Sequence, residues 1–260
     1  MSIAELAPIF EGPDKWPRVY GLFRSLVIYY GQPWRTAGLR RLYRSFIEPG
    51  DLAFDIGAHV GNRSRCWAGL GAQVVAVEPQ ADFATWLRGQ FKGRDEIEII
   101  ETALGAEPGS ASMHIDPTNP TVTTLSSDWI DNVTKTEGFK DVDWKASIDV
   151  PVTTLDRLIS SHGLPVFCKI DVEGFEAEVL KGLSQPIKAL SFEFLPAVID
   201  VALESLDLLE ALGRYRYNVS YGEGMAFDKP GWQTADRMRA WLAQLGGGRR
   251  SGDVYARLEG

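Results

Sequence analysis

The feature that most constrains this chain is an alternation of short apolar runs with amphipathic stretches, beginning at Asp51. A run at 51–56 precedes helical spacing at 61–70, 73–78 precedes 80–91, and a further run follows at 97–101. The pattern resumes with 166–171 before 174–183, and with 188–194 before 200–212. Continuous apolar runs of this length suit strands covered on both faces. Strands separated by helices call for right-handed crossovers, hence a doubly wound parallel sheet. The end departs from this rule: Arg214–Tyr221, a Gly222-Glu223-Gly224 turn, helix 234–245 and strand 252–258 suggest an antiparallel closing strand.

Before Asp51 the chain reads as helical. Leu39, Leu42, Tyr43, Phe46 and Ile47 recur at helical spacing until Pro49-Gly50 stops the run. We therefore divide the chain into an N-terminal helical extension, 1–48, and a cofactor-binding domain, 49–260. A polar segment at 116–147, carrying Trp129 and Trp144, breaks the alternation and reads as a lid or substrate loop. Ser110–Ile115 and Ser147–Val152 are placed to pair as strands at its base.

Open α/β sheets bind ligands beyond the carboxyl ends of their strands, so polar residues there carry the functional reading. The first set is Asp55-Ile56-Gly57-Ala58-His59-Val60-Gly61-Asn62, a strand end running through a glycine turn into a helix start. Gly57 and Gly61 imply close backbone approach. Asn62 and Ser64 are candidate caps, and the turn amides a cradle for a carboxylate or phosphate. A dinucleotide turn wants G-x-G-x-x-G, and His59 occupies the second glycine's place. The spacing fits S-adenosylmethionine better, with Asp55 and the turn facing its amino-acid end. The second set is Glu78-Pro79, 21 residues beyond Gly57, where a carboxylate can accept both hydroxyls of an adenosine ribose. Thr102, Ala103 and Leu104 follow the next strand and would flank the adenine. The third is Lys169-Ile170-Asp171-Val172-Glu173-Gly174-Phe175-Glu176, which delivers carboxylates to the cleft. Lys169 reads as an ion-pair partner, and Glu176 as a helix-start acid.

Phe-Asp-Ile-Gly-Ala-His-Val-Gly-Asn-Arg at 54–63, Val-Glu-Pro-Gln at 77–80, Thr-Leu-Asp-Arg-Leu at 154–158, Lys-Ile-Asp-Val-Glu-Gly-Phe-Glu at 169–176 and Ser-Phe-Glu at 191–193 together resemble the FkbM-type methyltransferases. Gly252-Asp253-Val254-Tyr255 resembles that family's closing strand. The resemblance implies a class I, Rossmann-like methyltransferase fold with seven strands, the last antiparallel. It also implies S-adenosylmethionine as donor, S-adenosylhomocysteine as product, and O-methylation of a sugar or natural-product hydroxyl. It does not reach the first 35 residues or the 116–147 segment.

An alcohol needs a base or a metal before it attacks a sulfonium methyl. Asp171, Glu173 and His59 are the candidate catalytic residues, with Glu193 in reserve. A metal bridging Asp171 and Glu193 is set aside, since two carboxylates do not establish one. The competing readings are a nucleotide-dependent oxidoreductase or epimerase, and a non-catalytic cofactor-binding protein. A net charge of −8 argues against a nucleic-acid partner. Between Pro13 and Ile47, however, seven basic residues face one acid, Asp14, so the stretch is either a solvated helix surface or a rim attracting an anionic acceptor. Leu22–Tyr30 is too short and too interrupted to span a membrane, and Met1–Glu5 does not open like a secretory signal. Cys66 and Cys168 read as buried thiols, which suits the cytoplasm.

Overall fold

The computed structural model describes residues 6–10, 15–32, 34–116, 118–119, 123–134, 142, 144, 146–222, 224–246 and 250–259. The expectations placed on Met1–Glu5, Pro13, Asp14, Glu223 and part of the 116–147 segment lie outside these residues. Ten strands are present among them: β1 (Leu52–Ile56), β2 (Gln73–Val77), β3 (Ile97–Ile100), β4 (Ala103–Leu104), β5 (Gly109–Ile115), β6 (Ala146–Thr153), β7 (Phe167–Ile170), β8 (Ala189–Phe194), β9 (Tyr215–Tyr221) and β10 (Gly252–Leu258). The helices are α1 (Lys15–Tyr30), α2 (Trp34–Tyr43), α3 (Asn62–Ala68), α4 (Ala81–Gln90), α5 (Ser127–Val133), α6 (Leu155–His162), α7 (Glu176–Lys181), α8 (Ile199–Leu212) and α9 (Ala235–Ala243).

Seven strands form one sheet in the order β3-β2-β1-β7-β8-β10-β9. Every pairing is parallel except those of β10, which runs antiparallel to both neighbours. This is the doubly wound, seven-stranded arrangement expected from the sequence. Alternation along the strands sends their side chains to two separate cores. Ala53, Val74, Ala76, Phe167 and Tyr255 face one core, shared with Leu22 of α1, Leu39 and Tyr43 of α2, Trp67 of α3 and Phe83 of α4. Phe54, Val75, Cys168, Leu190 and Phe192 face the other, with Leu158 of α6, Val179 of α7, Leu206 of α8 and Met238 of α9. The apolar set around the end of α2 is buried as its spacing required.

Ser110–Ile115 and Ser147–Val152 do pair, as parts of β5 and β6, with Met113 opposite Ile148. Helix α6 ends at His162 and is capped by Thr154, which accepts the Arg157 amide. Within the polar 116–147 segment, Ser126 accepts the Trp129 amide and starts α5. Trp129 is then buried to 1% exposure.

From β1 the chain works outward through β2 and β3, and from β7 it works outward the other way to β8. The strand order therefore switches between β1 and β7, and a crevice opens beyond their carboxyl ends.

Candidate active site

A cavity containing about 860 Å³ of unfilled space, open mouth included, lies at this switch point. Its walls include Gly57, His59 and Asn62 after β1, Glu78 and Pro79 after β2, Thr102 to Leu104 at β4, and Asp171 and Glu173 after β7. Ten of the twelve residues expected at the site thus meet around one space.

Asp55 and Gly61 are the two that do not line it. Asp55 is buried, and its Oδ2 accepts both the Ser64 amide, at 3.0 Å, and the Ser64 hydroxyl. It ties the start of α3 to β1. Gly61 has φ +76°, and a Cβ there would meet Leu87 and Phe91 at 2.6 and 2.7 Å. Gly57, at φ +81°, approaches protein in the same way: a Cβ would lie 1.9 Å from the Asp171 carbonyl oxygen. The close approaches that the glycines announced are therefore contacts within the fold. Four of the turn amides are engaged within the fold. Those of Gly57 and Ala58 donate to Val77 O, that of His59 to Glu78, and that of Gly61 to Ala58 O. Asn62 and Ser64 give α3 no side-chain cap, because its cap position is Gly61 and Asp55 reaches it from the strand.

Glu78 sits at the centre of one wall, 3% exposed. Its Oε2 accepts the His59 amide and its Oε1 the Gln80 amide, each at 2.9 Å. These bonds fix the carboxylate plane and leave each oxygen a second lone pair. Burial pushes its pKa up to about 7, against the two amides, which favour the ionised form. Across the cavity, Lys169 is 1% exposed and bridges Asp171 at 2.8 Å and Asp253 at 3.0 Å. The ion-pair role read for Lys169 is what the structure shows. Burial works against charge on Asp171, but Lys169 and Arg63 outweigh it and hold the carboxyl below its usual range.

Glu173 adopts φ +53°, a conformation few side chains accept. Thr124 holds it there by donating to its carbonyl at 2.7 Å. Glu176 accepts the amides of Val172 and Gly174 at 3.1 and 3.2 Å, so it braces the turn from the helix side. Gly174, at φ +88°, lies against the Trp129 ring, 2.0 Å from where a Cβ would be. The acidic turn is thus clamped by Thr124 and α5. Burial, with Asp171 and Glu176 nearby, raises the Glu173 pKa well above the usual carboxyl range. Glu193 at the end of β8 is raised likewise, by burial first and by Glu173 and Asp171 next. Carboxylate oxygens of Asp171, Glu173 and Glu193 all lie within 4.8 Å of one another, close enough to share a proton or to hold a cation.

His59 also has a positive φ, +50°, with its ring 4.7 Å from Phe83 and edge-on to Tyr29 at 5.7 Å. Burial lowers its pKa to about 4, so the imidazole is neutral near pH 7. Sequence reasoning missed Tyr29, which α1 brings to the wall, and Met113, Thr123, Thr124 and Leu125, which β5 and the segment after it supply. It also missed Arg63, although the residue stands in the motif at 54–63; its guanidinium lies over the Tyr29 ring at 5.9 Å.

The Methyltransferase FkbM domain profile matches residues 55–247. The chain belongs to the FkbM methyltransferase family. A relative is the hexuronic acid methyltransferase AglP of Haloferax volcanii, 26% identical over 167 residues. That alignment spans 61% of this chain and 63% of AglP, so over a third of the relative's length has no counterpart here. Among solved structures, the chain is similar to the O-methyltransferase from Bacillus cereus in complex with SAH, at 13% identity and TM-score 0.44, over 98% of this chain and 96% of that one. The precorrin-6y C5,15-methyltransferase of Geobacter metallireducens matches at 13% identity and TM-score 0.41, over 87% and 89%.

Proposed function

We propose that this FkbM methyltransferase transfers a methyl group from S-adenosylmethionine to a hydroxyl of a small molecule, a sugar or natural product, and releases S-adenosylhomocysteine. The observation that carries the reading is the placing of an amide-fixed carboxylate, Glu78, and an acidic turn, Asp171 to Glu173, in one cavity at the switch point, after the two strands that flank β1. The donor supplies a methyl group on a sulfonium, and the residues have four tasks around it. Glu78 accepts the two ribose hydroxyls. Pro79, Thr102, Ala103 and Leu104 flank the adenine. Arg63 meets the amino-acid carboxylate beside Gly57, His59 and Asn62. Asp171, fixed by Lys169, orients the acceptor and the donor's amine.

Glu173 would take the acceptor's proton as its hydroxyl oxygen bonds to the methyl and the donor's sulfur leaves, with Glu193 carrying the proton that the pair already holds at rest. Positioning a nucleophile can lower a barrier by on the order of 7–11 kcal/mol, and a placed base adds roughly a hundredfold to ten-thousandfold. A neutral His59 packed on Phe83 suits a wall of the cofactor site better than a proton acceptor. The reading keeps the reaction metal-free, because Lys169 balances Asp171 and a shared proton relieves the Glu173–Glu193 pair. The likeness to a hexuronic acid methyltransferase supports a sugar acceptor.

Incubation with methyl-labelled S-adenosylmethionine and a panel of sugars, hexuronic acids included, tests this. Label should appear in the small-molecule fraction, with chelator or without. Label in protein, or stabilisation by NAD but not by S-adenosylhomocysteine, would overturn the assignment. Loss of activity with chelator would give the carboxylate triad to a cation.

A further inference from the structure

Five large apolar residues are exposed among the described residues, and four of them lie on α1: Trp16 at 61%, Tyr20 at 55%, Val27 at 53% and Ile28 at 36%. A helix turns about 100° per residue, so Trp16, Tyr20 and Val27 fall within roughly 40° of one another and form one stripe, with Ile28 roughly 80–120° round the helix from them. The opposite side of α1, Val19, Leu22 and Ser25, is buried in the core. Scattered exposed apolar residues are ordinary, but a stripe of this kind on one helix marks a contact surface.

The charge of the chain segment that carries the stripe points to what it meets. From Lys15 to Ile47 there is no acidic residue, and Lys15, Arg18, Arg24, Arg35, Arg40, Arg41 and Arg44 are all basic, in a chain of net charge −8. Arg24 is exposed between Tyr20 and Val27, and Arg40, Arg41 and Arg44 border a single surface hollow on α2. Such a segment attracts an anionic surface and repels a second copy of itself. Trp and Tyr are also the side chains whose apolar rings and polar tips suit the boundary between lipid headgroups and acyl chains.

We propose that the outer face of α1 docks the protein on an anionic lipid bilayer, with the rings of Trp16 and Tyr20 at the headgroup level and Arg24 and the arginines of α2 against the lipid phosphates, whereas Arg18 is held by Asp82. This is peripheral attachment by an amphipathic helix. Among the described residues no helix is long and apolar enough to cross a membrane. The docking helix reaches the catalytic cavity: Tyr29 lines it, and Arg24 donates to Asn119 in the segment that follows β5. An acceptor held at a lipid surface would approach from that side. That last step rests on the proposed methyl transfer; the docking itself does not.

The test is co-sedimentation of the full chain with vesicles of phosphatidylcholine containing phosphatidylglycerol, against phosphatidylcholine alone. We expect at least tenfold more protein on the anionic vesicles, with release at high salt. Trp16→Ser combined with Tyr20→Ser should weaken binding about tenfold while circular dichroism and the unfolding midpoint stay unchanged. Arg41→Ser with Arg44→Ser should weaken it through charge alone, leaving the stripe intact. Equal partitioning to both vesicle types, or wild-type binding by the Trp16/Tyr20 variant, would overturn the proposal. So would a dimer in solution that the same variant dissociates, since the stripe would then be an interface between copies.

Discussion

Replacing Glu78 with Gln removes the charge from the cavity wall at almost constant shape. In the wild type, one carboxylate accepts two backbone amides and, on our account, two ribose hydroxyls. The Gln side chain keeps one acceptor oxygen and turns an NH2 toward the other amide, donor against donor. Hydrogen bonds to charged groups contribute about 1.5–3 kcal/mol each against about 1 for neutral ones, so weakening one ribose contact and losing the other costs roughly 2–4 kcal/mol. That is roughly a 30- to 1,000-fold weaker affinity for S-adenosylhomocysteine. The charge also gives the effect a pH signature. Because burial raises the Glu78 pKa to about 7, the free protein holds the accepting, ionised form above that pH and the neutral form below it. Wild-type affinity should therefore be full at pH 8 and fall toward tenfold per unit below pH 7, while the variant lacks this component. Calorimetric titration with S-adenosylhomocysteine at pH 8 and pH 6 measures both. A variant within threefold of wild type at pH 8, or equal pH profiles for the two proteins, would refute the ribose assignment.

Three further substitutions probe other parts of the account. Glu173→Gln should lower kcat by roughly a hundredfold to ten-thousandfold while S-adenosylhomocysteine affinity stays within a few-fold, which isolates proton transfer from cofactor binding; an undiminished kcat moves the base elsewhere. Gly57→Ala places a methyl against the Asp171 carbonyl and strains φ +81°, so thermal unfolding should show a loss of at least about 3 kcal/mol. Lys169→Met leaves the buried Asp253 and the cavity-facing Asp171 without their cation, and should cost roughly 3–5 kcal/mol by denaturant unfolding.

Much of this architecture was legible in the sequence because the sheet is covered on both faces. Runs such as Val74–Val77 had to be apolar throughout, and their polar ends then stood out. The resemblance carried by Asp55–Arg63, Glu78 and Lys169–Glu176 located three of the cavity's walls. What the sequence withheld was the direction in which polar groups turn. Asp55 at a strand end is as well suited to a ligand as to the amide and hydroxyl of Ser64, and only the geometry distinguishes them. Asp253, the second partner of Lys169, lies 84 residues away and comes next to it only through the β8–β10 pairing. Helix α5 was hidden because its seven residues are mostly polar and one of its buried anchors, Trp129, sits on a glycine in a distant turn. A further part of the wall, Thr123 to Leu125, comes from a stretch where neither helical nor strand periodicity is strong.

The central claim is that the crevice between β1 and β7 holds the methyl donor with its ribose on Glu78 and its reacting end toward Glu173. A crystal structure of the protein with S-adenosylhomocysteine tests it most directly. The account predicts both ribose hydroxyls within about 3 Å of the Glu78 carboxylate, as bonded oxygens require, and the sulfur facing Asp171 and Glu173. A ligand bound outside this cavity, or inside it with the ribose away from Glu78, would contradict it.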